Sequence, residues 1–131
     1  MPVEDLKQSQ TMNHMLEALE NGEDIGHYGR LTFAMVARHF VDNDELVRLL
    51  TKDHDADEQE VRAMVQQVEE KGYSPPRREK ILEWQKEQDF QICPNPDDPD
   101  ACNVYNELTF PDELYQDIQE YRAEEQAGSE S

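Results

Sequence analysis

Apolar residues recur along this chain at intervals of three and four, and nowhere sustain the alternation of a strand. Residues 1–10 are polar and predicted to fray. Met12, Met15, Leu16 and Leu19 then mark a first helix over Thr11 to Glu20, stopped by Asn21-Gly22. The dominant stretch runs from His27 to Phe40, HYGRLTFAMVARHF. Phe33, Val36, Ala37 and Phe40 fall one helical face apart, and Leu31, Ala34 and Met35 fill the adjoining face. An apolar girth that wide predicts a central helix. After the turn chemistry of Asp42-Asn43, Leu46, Val47, Leu49 and Leu50 predict a short third helix. Lys52 to Asp55 reads as a polar loop in which His54 is solvated. Val61, Met64, Val65 and Val68 give the cleanest period, a helix from Asp57 to Lys71 with acids in its first turn and Gly72 at its end.

Ser74-Pro75-Pro76 forces an extended segment, since proline bars the helical region to the residue before it. A helix restarts near Arg77 and carries Ile81, Leu82 and Trp84, with Trp84 assigned to the core. Phe90 to Cys102, rich in Pro, Asn and Asp, reads as a loop. Pro111 then opens a last amphipathic helix through Leu114, Ile118 and Tyr121. The predicted class is all-α: a compact domain of about six helices with a long Cys-containing loop before the last one. Residues 1–10 form a flexible start, 11–124 a single helical domain, and 125–131 a disordered acidic tail.

Charge changes the picture. Thirty-one acids against twelve bases leave a net charge of −19. Such a field repels nucleic acid at low salt. Two explanations compete: a surface adapted to a salty cytoplasm, where screening shortens to roughly 3 Å at 1 M, or an acidic face made for a basic partner. The spread of acids along the whole chain points to the first. One window departs from it: residues 71–86 hold five bases and two acids, together with Tyr73 and Trp84. That is a localised footprint for phosphates and bases. No run of about 18 apolar residues exists to span a membrane, and MPVEDLKQSQ lacks the layout of a secretion signal. The expected location is therefore cytoplasmic, with Cys93 and Cys102 as reduced, unpaired thiols.

Candidate chemistry starts where the central helix starts. His27 and Arg30 lie one turn apart around Gly29, at the end whose unpaired N–H groups favour an anion. Either they seat a phosphate, or Arg30 pairs with a local carboxylate and His27 is a loop residue.

The order of features resembles the C-terminal domain of the large, non-catalytic subunit of archaeal and eukaryotic DNA primase. Three pieces carry the likeness: His27-Tyr28-Gly29-Arg30 opening a helix, the turn Tyr73-Ser74-Pro75-Pro76, and Cys93 and Cys102 followed by Phe110-Pro111-Asp112-Glu113-Leu114-Tyr115. They span residues 11–122 in the family's order. The resemblance implies a mostly helical fold around a four-cysteine [4Fe–4S] cluster that helps a catalytic subunit start a primer. Here the first cluster cysteine falls at or near Thr11 and the second on Arg78, so only Cys93 and Cys102 remain. Two thiolates cannot hold such a cluster. Zinc, with help from His14, would need two more well-placed ligands. The expectation is no cofactor, with the two cysteines as remnant ligands. Arg78 either clamps the acidic loop or faces outward as part of the basic window.

By that resemblance His27 and Arg30 would hold the 5′-triphosphate of the initiating nucleotide. Arg77, Arg78, Lys80 and Tyr73 would touch the template backbone. The expected function is a non-catalytic, cluster-free accessory domain that binds primer–template or single-stranded DNA and docks on a catalytic primase subunit. The competing expectation is an acidic protein-interaction or DNA-mimic module on the same fold that no longer binds nucleic acid.

Overall fold

A computed structural model describes residues 3–108 and 110. Within them the chain is all-helical: a 3-10 helix at Val3–Gln8, then α1 (Gln10–Glu20), α2 (Gly26–Ala37), α3 (Asn43–Leu50), α4 (Glu58–Lys71), α5 (Arg78–Gln85) and α6 (Val104–Glu107). The last helix expected from Leu114 to Tyr121 lies outside the described residues. Most helices start where a short polar side chain can take up an orphan amide. Ser9 accepts from the Met12 N–H, Asp42 from Glu45 and Asp57 from Glu60. At the other end of α4, Gly72 takes the left-handed conformation, φ 63°, that closes a helix at little cost only for glycine.

The central helix is central. Phe33, Ala34, Val36 and Ala37 of α2 are fully buried, and α2 packs against α1, α3, α4 and α5. It ends three residues earlier than the apolar pattern suggested, because the amides of Arg38 to Val41 turn back onto Ala34, Val36 and Ala37. Phe40 still reaches the core through that turn. The first residues depart from the frayed start expected of them. Leu6 is 0% exposed, and the 3-10 helix lies against α1. One leucine among polar neighbours carries no period, so only the tertiary fold reveals its burial.

The cysteines require a correction. Cys93 and Cys102 are neither free thiols nor separate remnants: they form a disulfide, with Cα atoms 5.7 Å apart. The loop they close is held from two sides. Gln85 accepts the Cys93 N–H at 2.8 Å. Arg78 donates to the carbonyls of Ala101 (3.0 Å), Pro96 (2.8 Å) and Asp98 (3.1 Å). Across the loop, Asn95 donates to Gln10, His14 bonds the Gln91 carbonyl, and Glu107 accepts from Ser9 and the Gln10 amide.

Candidate functional site

Helix α2 begins differently from α1, α3 and α4. Its N-cap, Ile25, has no capping side chain, so its first amides must find partners elsewhere. The neighbouring Asp24 and two distant residues, Asp53 and Gln88, supply them. Asp53 accepts the Ile25 N–H at 2.8 Å, Asp24 accepts the Gly26 N–H at 2.8 Å, and Gln88 accepts the Tyr28 N–H at 2.9 Å. The Gln88 amide also donates to the carbonyls of Ile25 and Phe90, tying the cystine-bearing segment to the start of α2. This close approach explains Gly26. Its φ is +76°, and a Cβ there would fall 2.4 Å from the Gln88 amide oxygen.

Arg30 reaches back over the same turn. Its Nη1 lies 3.0 Å from Asp53 Oδ2 and 3.2 Å from Asp24 Oδ1. The Arg30 side chain is 16% exposed and that of Asp53 is 0% exposed. Asp53 also accepts the Asp55 N–H through its other oxygen. A fully buried carboxylate is tolerated only when paired and hydrogen-bonded, and Asp53 has a guanidinium and two amides. Of the two readings offered for Arg30, the structure displays the local ion pair. The amides of Ile25, Gly26 and Tyr28 already face Asp53, Asp24 and Gln88. None of these three stood out as a site residue in the sequence. An Asp-x-Gly turn at Asp24 is a usable signal, but nothing local marks Asp53 as buried.

His27 and Arg30 do share one cavity, of about 170 Å³. His27 is exposed. The opposite side comes from α4 and the residues before it: Ala56, Asp57, Glu60, Val61 and Met64.

The expected template-binding residues lie on and before α5, which packs on α2. Trp84 stacks on Tyr28 with centroids 5.4 Å apart, and His27 meets the Tyr28 ring edge-on. The Tyr28 phenol is held above its ordinary range by its bond to Glu87 and that carboxylate's charge. Trp84 is only half-buried, a flank of the core rather than its interior. Lys80 lies 5.8 Å over the Trp84 ring and 3.6 Å from Glu83. Tyr73 is 39% exposed, and its carbonyl accepts from Arg38. Arg77 occupies the N-cap position of α5. Arg78 takes the clamping alternative, through backbone carbonyls rather than carboxylates. Much of the basic window is thus occupied by contacts within the chain.

Among the described residues no group of three or more His, Cys, Asp or Glu side chains converges to hold a metal ion. His14 stands beside the cystine loop, stacked on Phe90 and bonded to the Gln91 carbonyl. No described helix is long and apolar enough to cross a membrane. Comparison with protein-family models, curated proteins and solved structures found nothing that matches this chain.

Proposed function

We propose that the protein is a non-catalytic interaction module of the primase large-subunit type, which docks through its acidic surface on a basic face of a replication partner. The catalytic primase subunit is the first candidate. The observation that carries this reading is the state of Arg30. Its charge is spent on Asp53 and Asp24, so a triphosphate brought there meets carboxylates before it meets a free cation. Arg78 is likewise committed, to the loop it clamps. The chain as a whole carries a net charge of −19, suited to steering a basic partner. Support for the primase type comes from the cystine loop, where Arg78 and a disulfide stand at three of the four positions matched to cluster ligands and close the loop from both ends.

The test is capture of purified catalytic primase subunit on the immobilised protein. Expected is capture that weakens from about 0.1 M to about 1 M KCl, as the screening length falls from about 10 to about 3 Å. No capture at any salt removes the partner.

One observation favours the nucleotide-holding reading: His27 and Arg30 line a single cavity. Fluorescence anisotropy with a 5′-triphosphorylated primer–template decides between the two. Binding by the native protein that is lost in His27→Ala, an exposed position, reverses the preference.

A further inference from the structure

The cavity between α2 and α4 has the wrong size and the wrong sign for a nucleotide. Pockets for small organic ligands enclose about 300–1,000 Å³, whereas this one encloses about 170 Å³, the scale of one long side chain. Its sign follows from its walls and their direct partners: one guanidinium, Arg30, against four carboxylates, Asp24, Asp53, Asp57 and Glu60. Its texture is also divided. Ala56, Val61 and Met64 present apolar surface, with Asp57 and Glu60 on the same side of the cavity. Both acids are exposed residues. Asp57 uses one oxygen to cap the Glu60 amide, and a carboxylate retains further acceptor positions beyond one such bond.

Apolar walls beside carboxylates complement one kind of side chain, a long aliphatic stem ending in a cation. Resting on the docking reading above, we infer that this cavity is the socket for a single arginine of the basic partner. Its stem packs on Ala56, Val61 and Met64, and its guanidinium meets Asp57 and Glu60. Arginine fits better than lysine because a planar fork can engage two carboxylates at once. Arginines seated in small desolvated pockets also carry a large share of binding energy at interfaces.

Methyl-detected NMR of the full chain tests this with four probes: the peptide acetyl-Gly-Arg-Gly-amide, its citrulline and lysine counterparts, and inorganic triphosphate. Expected are saturable shifts of the Met64 and Ala56 methyls with the arginine peptide, weaker ones with lysine, and none with citrulline. Glu60→Gln raises the dissociation constant about two- to fivefold, the worth of one exposed ion pair, and Glu60→Lys abolishes binding. Unmoved Met64 and Ala56 methyls, an equal response to citrulline or lysine, or preferential binding of triphosphate at those methyls each overturn the socket. Capture of the primase subunit separates the two ideas. Equal capture by native protein and Glu60→Lys overturns the socket while docking stands. Saturable arginine binding without capture supports the socket and removes only the partner.

Discussion

Arg30 shows how a residue suited to one task can be committed to another. Its guanidinium compensates Asp53, which is fully buried and also caps α2. Removing one partner of such a pair leaves an uncompensated buried charge and costs about 3–5 kcal/mol. Arg30→Ala should therefore lower unfolding stability in urea by that order. An unchanged urea midpoint would show that the pair carries no weight in folding. His39 is the residue to watch as pH falls. Burial, with the Arg38 charge beside it, pushes its imidazole down to about 4, and its ring packs edge-on against Phe110. The folded state thus holds it neutral, while the unfolded chain takes up a proton nearer 6.5. Its contribution is intact above about pH 6.5 and is lost progressively between there and about pH 4. The native protein should lose more stability between about pH 7 and about pH 5 than His39→Gln does. Parallel losses in urea titrations of the two would remove His39 as the cause.

At the scale of the element, the cystine loop substitutes covalent and hydrogen-bonded closure for helical regularity. Closing a short loop with a disulfide stabilises by about 2.5 kcal/mol through restriction of the unfolded chain. Cys93→Ser/Cys102→Ser should cost that order in a denaturant titration. Arg78→Ala removes three bonds from a charged donor and should cost about 2 kcal/mol, with faster amide exchange over residues 94–102. Exchange in that loop unchanged from the native protein would deny Arg78 its clamping role. The start of α2 obeys the same logic. Gly26→Ala meets both an unfavourable φ and the Gln88 amide, so it should destabilise by about 1–3 kcal/mol. Helices α1, α3 and α4 were legible beforehand because each carries a period and a cap of its own, whereas the four-residue α6 was not. Asp42, Asp57 and Gly72 are local signals. The α2 cap was not legible, since it is assembled from Asp24, Asp53 and Gln88.

For the whole molecule, a net charge of −19 on 131 residues means that folding concentrates like charges. Raising KCl from about 0.01 M to about 1 M shortens screening from about 30 to about 3 Å. The urea midpoint should rise across that range; a flat response would show that self-repulsion is already neutralised within the fold. The basic window illustrates the limit of reading charge along a line. Residues 71–86 stand out in one dimension, yet Arg78 turns inward to carbonyls and Lys80 meets Glu83 and Trp84. A charge count records what a segment carries, not where its side chains go.

By itself the sequence determined the helical class, the centrality of α2, most helix ends and the acidity of the surface, because periodicity, capping and charge are local or additive. Tertiary structure alone decided that Leu6 is core, that Cys93 and Cys102 are joined, and that the amides of α2 and the Arg30 charge are answered from residues 53 and 88 as well as from the nearby Asp24. Each of those depends on groups brought together across the chain, and their partners are set by packing rather than by spacing.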